Sequence, residues 1–266
     1  SNGWTMQNGG TGGIVLNQNA ATYVAWQWQA GQGTTSSNTN GSITSTVSVN
    51  TTAGFSIVTY TGTGANATVG HGLGVAPSMV IIKCRGTAAT HWPVYHTGGG
   101  SSPVVFLDLT NAGTSGATYY SAAPTSTVIN LGTTPDGDVN GSSRTYVAYC
   151  WAAIPGFSAF GSYTGNGSTD GPFVFCGFRP AYLITKRTDS SSNWYIWDKN
   201  RLGYNGGENL LYAEATTVES SYGAAGVDFL SNGFKLRNTD SSENASGGTY
   251  IYAAFADVPF KYALAR

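Results

Sequence analysis

Acid–base chemistry and metal binding often use histidine, and this chain has three histidines, His71, His91 and His96. On a strand, His91 and His96 would point to opposite faces because they are five residues apart, so one sheet cannot direct both at a single metal ion. The three cysteines form no Cys-x-x-Cys pair and do not cluster with histidine at ligand spacing. We therefore expect no metal site, no cofactor and no catalytic histidine.

Paired carboxylates are the second kind of candidate site, because glycosidases use an acid and a base on either side of the scissile bond. Most acidic residues here, including Glu243, lie in Gly-, Ser- and Asn-rich segments that are typical of turns. Asp108 and Asp198 lie in strand-like stretches and are the carboxylates expected to face a core. One such acid in each half of the chain, without a partner in sequence, favours a protein that is not an enzyme.

Aromatic side chains in irregular segments are the third kind of candidate site. Rings on a loop that a rigid sheet carries can form a glycan- or protein-binding surface. Trp92 and Tyr146 recur between the two halves of the chain and are therefore predicted to be core residues. The candidate ligand-binding residues are those without a counterpart in the other half: Tyr119, Tyr120, Tyr204 and Tyr222.

An internal repeat determines how these residues are positioned. Two full copies and a partial N-terminal copy are recognisable, and the last element of each copy is here called the closing strand. The matching segments are Gly54–Gly62 with Gly156–Gly165, Pro77–Lys83 with Pro180–Lys186, Ser1–Met6 with Ser231–Leu236, and the closing strands Thr22–Trp26, Thr145–Trp151 and Thr249–Phe255. The repeat predicts four regions: a partial repeat at 1–30, a linker at 31–53, and β-rich repeats at 54–155 and 156–266.

The partial copy generates two expectations. Residue 1 falls inside a repeat, so we expect the chain to be the C-terminal part of a longer polypeptide. Half a repeat cannot bury its own apolar face, so an upstream segment or a symmetry mate is expected to cover its apolar residues. These residues are Trp4, Met6, Tyr23, Trp26 and Trp28.

Short apolar runs bounded by Gly, Asn and Asp predict an all-β fold. We expect tandem β-sandwich repeats of jelly-roll or lectin-like type, each of about 100 residues, with one large double-sheet jelly roll as the alternative. The end of the linker, Ile43 to Val49, alternates in polarity and fits either a strand or a linker. The predicted strands are 22–28, 55–60, 79–84, 103–108, 127–131, 145–151, 157–163, 173–178, 182–186, 194–198, 209–212, 234–237 and 249–256.

The composition excludes several classes of protein. Of 266 residues, 9% are charged and 13% are aromatic, and the net charge is −1. Disordered chains have few aromatic residues, and nucleic-acid-binding domains have a basic surplus, so neither class fits. No apolar run approaches the roughly 18 residues that a membrane-spanning helix needs, and we expect no membrane insertion.

Two groups of residues carry a resemblance to a known family: Gly54–Gly62 with Gly70–Pro77, and Ala245–Ile251. They resemble the repeats of large virion structural proteins of marine and freshwater tailed bacteriophages, which are often labelled tail-fibre or fibre-like. The C-terminal segment Pro259–Ala263 resembles the end of such proteins.

The resemblance implies a non-enzymatic tail fibre or host-adhesion module, located in the virion, that binds a cell-surface glycan or protein. A capsid decoration protein and a secreted glycan-cleaving enzyme are the alternatives. The implied partners are other virion proteins and further copies of the chain, because tail fibres are commonly homo-oligomers and often trimers. The resemblance supplies no catalytic residues.

Overall fold

The computed structural model describes residues 18–87, 90–100, 104–201, 209–221 and 226–256, and these residues form an almost entirely β structure. A 3-10 turn at Thr97–Gly99 and the four-residue helix α1 (Ser241–Asn244) are the helical elements in these ranges. Within them, no helix has the length and apolar character needed to cross a membrane. The all-β prediction is confirmed.

Eighteen strands are assigned in these ranges. They are β1 (Ser36–Asn38), β2 (Ser45–Asn50), β3 (Phe55–Thr61), β4 (Ala67–Gly70), β5 (Met79–Cys84), β6 (Pro93–His96), β7 (Val104–Phe106), β8 (Val128–Leu131), β9 (Thr145–Trp151), β10 (Ser158–Thr164), β11 (Phe173–Phe175), β12 (Pro180–Arg187), β13 (Trp194–Asp198), β14 (Asn209–Tyr212), β15 (Ser220–Ser221), β16 (Val227–Leu230), β17 (Gly233–Leu236) and β18 (Thr249–Ala256). We call β1–β9 unit 1 and β10–β18 unit 2.

Antiparallel pairing joins the strands into two large inner sheets and two small outer sheets. Sheet A has the order β1-β2-β3-β9-β5-β6-β7 and sheet B the order β4-β8; sheet C has the order β10-β18-β12-β13-β14-β15 and sheet D the order β11-β17-β16. The run β3-β9-β5-β6-β7 in unit 1 therefore corresponds to β10-β18-β12-β13-β14 in unit 2. The closing strand β9 lies between β3 and β5, as β18 lies between β10 and β12, and β5 and β12 carry the equivalent residues Lys83 and Lys186.

The four sheets stack in the order B, A, C, D, with an apolar core between each pair of neighbours. Strand β3 shows how one strand serves two cores: Val58 and Tyr60 point towards sheet B, whereas Phe55 and Ile57 point towards sheet C. A strand that is buried on both faces favours apolar residues at successive positions. This explains the unbroken run from Tyr250 to Phe255.

A buried tyrosine pair fixes the loop before the closing strand of unit 1. The ring of Tyr146 stacks on that of Tyr60 with centroids 5.0 Å apart. The Tyr146 hydroxyl accepts a hydrogen bond from the amide of Gly141 at 2.6 Å and donates one to the carbonyl of Gly137 at 2.5 Å. One side chain thus satisfies two backbone groups of the loop.

Unit 2 repeats this arrangement. Tyr250 stacks on Tyr163 at 4.9 Å, accepts from the amide of Ala245 at 2.8 Å and donates to the carbonyl of Ser241 at 2.8 Å. The conserved geometry shows why tyrosine recurs as the second residue of the closing strand: the hydroxyl organises the preceding turn and the ring fills the core.

Two sequence-based expectations need correction. Residues 22–28 form no strand, because none of the described residues pairs with them, although their sequence is strand-like. The segment 31–53 was expected to be a linker, with a strand as the alternative for Ile43–Val49; β2 agrees with that alternative, whereas β1 was not expected, and both extend the edge of sheet A. Its Ser, Thr and Asn content suits such an exposed edge. Residues 1–17 and 257–266 lie outside the described residues, and with them Trp4, Met6 and the segment Pro259–Ala263.

Strands β1, β4, β6, β15 and β16 were missed by the sequence analysis. Each has two to four residues, which is too short to establish an alternating pattern. Their positions depend on the longer strands that they pair with, and not on their own sequence.

Removing the tyrosine hydroxyl tests the role of this pair. We expect Tyr146→Phe to lower the free energy of unfolding by roughly 1–3 kcal/mol, because it leaves a buried amide and a buried carbonyl without a partner. Tyr250→Phe should have a similar effect. Urea unfolding measures both, and Tyr23→Phe, at a largely exposed residue, is the control. Equal stability of all three variants and the wild type would contradict this role.

Candidate functional site: the seam between the inner sheets

An apolar interface, which we call the seam, lies between sheets A and C. It brings together side chains from both units and contains tryptophan, phenylalanine and aliphatic residues with few polar atoms. Its fully buried members are Phe55, Met79, Ile81, Val94, Val105 and Trp151 from unit 1, and Ile184, Trp194, Ile196, Ile251, Ala253 and Phe255 from unit 2. The seam is therefore mainly a packing surface, and its few polar groups need hydrogen-bond partners within it.

His96 crosses the seam. Its Nε2 lies 3.0 Å from the carbonyl oxygen of Tyr252, and its Nδ1 accepts a hydrogen bond from the amide of Gly98 at 3.0 Å. Nδ1 therefore carries no proton and Nε2 donates. Burial lowers the pKa of His96 to about 4, so the neutral ring is the form present near pH 7. His96 links the two units and is not placed to transfer protons to a bound substrate.

Two further side chains of unit 2 donate to carbonyls of unit 1. The indole Nε1 of Trp194 lies 2.7 Å from the carbonyl oxygen of Phe106, and Nζ of Lys186 lies 2.9 Å from that of Thr110. Lys186 also donates to the carbonyl of Ser192 at 2.5 Å. Burial lowers the pKa of Lys186 to about 8. Both donor side chains are buried and hydrogen-bonded. Lys186 therefore stabilises the contact between the units and is not available as a nucleophile.

The opposite side of the seam is open, and the irregular segment 24–30 lies across it. The ring of Trp28 packs 5.9 Å from Trp151, 5.2 Å from Phe255 and 5.4 Å from Tyr182. Trp26 packs 5.3 Å from Tyr182. The expectation that an upstream segment or a symmetry mate covers Trp26 and Trp28 is thus corrected in part, because their own chain covers much of both rings.

Beside this segment lies a groove of about 590 Å³, on the part of the seam face of sheet A that sheet C leaves uncovered. Its wall is aromatic and aliphatic: Ile57, Ile81, Trp92, Tyr149 and Trp151 line it, with residues 25–28 along one edge. Among the described residues, the buried indole nitrogens of Trp26 and Trp151 have no hydrogen-bond partner. A groove with this lining suits the binding of an apolar surface and lacks the charged groups that most reactions require.

Glu243 was expected to lie in an ordinary turn, but the structure buries its side chain completely. Asp240 caps helix α1 by accepting from the amide of Ser242, and the acid three residues after such a cap commonly lies in the first turn. Glu243 lies in that turn, and its carboxylate points into the interior. It accepts hydrogen bonds from Thr185 Oγ1 at 3.1 Å and Trp197 Nε1 at 3.0 Å.

Burial raises the pKa of Glu243 to about 7, although the hydrogen bonds from Trp197, Thr185 and Asn238 oppose the rise. Such a pKa is typical of a catalytic acid. The side chain is, however, completely buried between sheet C and the loop before β18, where no substrate reaches it. Its geometry makes it a polar anchor for helix α1.

The two acids expected to face a core have local structural roles. Asp198 is buried, and its Oδ2 accepts from Nε of Arg201 at 2.5 Å. Asp108 accepts from the amide of Trp92 at 2.9 Å and lies 3.0 Å from Nδ1 of His91. Asp108 is only partly buried, so the sequence-based expectation is confirmed for Asp198 and is too strong for Asp108.

His71, the remaining histidine, is buried. Its Nε2 lies 3.2 Å from the carbonyl of Thr125, and its Nδ1 accepts from the amide of Leu73 at 3.2 Å. Burial lowers the pKa of His71. Within the described ranges, no three His, Cys, Asp or Glu side chains are grouped as metal ligands would be.

The structure places two of the four candidate tyrosines. Tyr120 lies in the core between sheets A and B, with its hydroxyl 3.2 Å from the carbonyl of Pro93, so it presents no ring to a ligand. Tyr119 is half-buried and packs edge-on against Phe106 at 5.3 Å. Tyr204 and Tyr222 lie outside the described residues.

A protein-family model described as a domain of unknown function (DUF7483) matches residues 1–259. No curated protein and no solved structure matches the chain.

The buried carboxyl predicts an unusual pH dependence. The pKa of Glu243 is about 7 in the folded protein and 4.5 in an exposed chain, so the folded state binds the proton more tightly. The contribution of Glu243 to stability should therefore fall by roughly 3 kcal/mol as pH rises from about 4.5 to 7, at about 1.4 kcal/mol for each pKa unit. Glu243→Gln should lose this slope in urea unfolding between pH 4.5 and 8. An identical slope in both proteins would contradict the assignment.

His96 predicts the opposite slope. Its pKa is about 4 when folded and 6.5 when exposed, so protonation favours the unfolded state. The contribution of His96 to stability should fall by roughly 3 kcal/mol as pH drops from about 6.5 to 4, and in the wild type it offsets that of Glu243 where the two pH ranges overlap. Thermal unfolding at several pH values should show a shallower acid limb for His96→Gln than for the wild type. His91→Gln, at an exposed residue, is the matched control, and equal limbs in all three proteins would refute this role.

Proposed function

Because the chain belongs to the DUF7483 family, for which no function is described, we propose its function from its geometry and from its resemblance to phage fibre-like repeats: it is a non-enzymatic structural protein of a bacteriophage particle. Its role there is that of a tail fibre or a host-adhesion module. The seam carries this proposal, since a continuous apolar interface joins two similar β-units through their inner sheets.

The buried ionisable groups support a structural role. His96 and Lys186 link the units, and Glu243 anchors a helix; each is engaged by partners within the chain. An enzyme normally keeps its shifted groups at an open cleft where substrate can reach them. The open groove of this protein is instead lined by apolar and aromatic side chains.

We also propose that residues 54–155 and 156–266 are tandem copies of one β-sandwich of jelly-roll or lectin-like type. The equivalent order of strands in sheets A and C supports this, as do the equivalent contacts of Tyr146 and Tyr250. Duplication of a unit that buries its closing strand on both faces is a direct way to build an elongated, rigid particle component.

The viral assignment draws on the resemblance of the Gly54–Pro77 and Ala245–Ile251 segments to phage fibre-like repeats. Low charge and dense Gly, Ser, Thr and Asn suit an extracellular particle. On the outer sheet of unit 2, Phe173 and Phe175 lie on an edge strand, and the ring of Phe175 is 65% exposed. This patch suits self-association into a homo-oligomer or contact with a host-surface glycan or protein.

Locating the chain in an intact particle tests the proposal. We expect antibodies against this chain to label the tail or its fibres in electron micrographs, and an excess of the purified chain to slow adsorption of the phage to its host. Labelling over the head would favour the capsid decoration role. Absence of the chain from every purified particle, with the protein present in the host cell or its medium, would defeat the viral assignment.

A further inference from the structure

An apolar cavity lies inside the seam, between the two units. Its volume is about 190 Å³, and all of its lining residues are apolar or aromatic. They include Val94 and Trp151 from unit 1 and Ile184 and Trp194 from unit 2. Protein interiors are normally close-packed, and voids larger than a water molecule are few in a domain. A cavity of this size at the contact between two units therefore needs an explanation.

Rigid aromatic rings explain why the cavity does not collapse. The ring of Trp28, which lines it, lies 5.9 Å from Trp151, 5.4 Å from Tyr182 and 5.2 Å from Phe255. All three pairs meet edge-on. Flat rings in such an arrangement hold one another apart and cannot change shape to fill a gap, as a flexible methionine can. The cavity is thus a product of the packing and exists without a ligand.

The chemistry of the cavity disfavours water as its occupant. A buried water molecule needs about two to four polar partners. The indole N–H of Trp194 is already donated to the carbonyl of Phe106, and no charged side chain lines the cavity. The indole nitrogens of Trp26 and Trp151 are covered by other atoms. Apolar cavities of roughly 150 Å³ stay dry and bind benzene, so this cavity suits an apolar group of that size or somewhat larger.

The cavity adjoins the groove of about 590 Å³ described above. The residues that line both spaces are Trp26, Trp28, Ile81, Leu107 and Trp151. The groove is open to solvent, whereas the cavity is more enclosed. A molecule with an apolar end can therefore enter along the groove and place that end in the cavity. A flexible chain suits two adjoining spaces better than a rigid ring system, because it can bend from one into the other.

Residues 24–30 can act as a lid over this path. Trp26, Trp28 and Ala30 are half-buried, whereas the residues between them are exposed. The segment belongs to no sheet of the described residues, so it can move outward without breaking a strand pairing there. Ring contacts hold its inner side, such as that of Trp26 with Tyr182 at 5.3 Å. A segment held in this way opens more readily than a strand inside a sheet, which gives a ligand a way in.

We propose that the seam binds the alkyl chain of an amphiphilic molecule, with the chain in the cavity and the polar end in the open groove. The cavity offers a charged or strongly polar group no partner, so only an apolar chain can enter it. A folded protein surface cannot enter a space of about 190 Å³, which favours a chain over a partner protein or a second copy. The proposal holds whether or not the protein is viral.

Binding of 1-octanol to the chain 1–266, measured by isothermal titration calorimetry, tests the proposal. Val94→Phe fills the cavity from a buried residue and should weaken octanol binding roughly tenfold or more, since burial of each methylene accounts for about a fourfold change in affinity. Ala213→Phe should have the same effect. Ala213 lines the cavity but is itself exposed, so this variant remains informative if Val94→Phe does not fold. Val218→Phe, at a residue that is 81% exposed, is the matched control and should bind octanol as the wild type does.

Photolabelling locates the bound chain. An octanol that carries a diazirine on its alkyl chain should label cavity residues such as Met79 and Ile184, and an excess of 1-octanol should suppress this labelling. Three results would overturn the proposal. They are the absence of octanol binding up to its solubility limit, equal affinity in the wild type and the folded cavity-filled variants, and labelling confined to exposed residues such as Phe175 and Val218.

Discussion

The structure depends on one constraint: both inner sheets carry apolar side chains on both faces, so each needs a packing partner on either side. Each inner sheet buries one face against its own outer sheet and the other against the inner sheet of the neighbouring unit. A unit in isolation would expose the seam face, with residues such as Ile251 and Phe255. Association of units is therefore a condition of folding as well as a means of building a larger object.

The polar groups follow from the same constraint. Where a backbone carbonyl is buried at the seam, an uncharged side chain of the other unit donates a hydrogen bond to it. His96 donates to the carbonyl of Tyr252, and Trp194 donates to that of Phe106. Burial works against the charged form of a side chain, which explains the raised pKa of Glu243. His96 and Lys186 thus satisfy backbone carbonyls inside an apolar interior, whereas Glu243 is held there by side-chain donors.

The internal repeat predicts the elements that recur in both units. The closing strands, and the strands that pair with them, could be predicted from self-similarity, and Gly54 and Gly156 open equivalent turns with φ of 64° and 76°. The sequence does not predict elements whose structure depends on their partners. Residues 22–28 have a strand-like sequence but no strand neighbours among the described residues, and the short strands β4 and β6 form because they pair with other strands. Glu243 was missed because its turn-like surroundings do not reveal which way the carboxylate points.

The most direct test of this account is differential scanning calorimetry of the chain 1–266. If the seam joins the two units into one body, they should unfold together in a single transition whose calorimetric enthalpy equals its van't Hoff enthalpy. Phe255→Ala should then lower the midpoint temperature of that single transition without dividing it into two. Two separate transitions in the wild-type protein, with only one displaced by Phe255→Ala, would show that the units are independent and that the seam is not what holds them together.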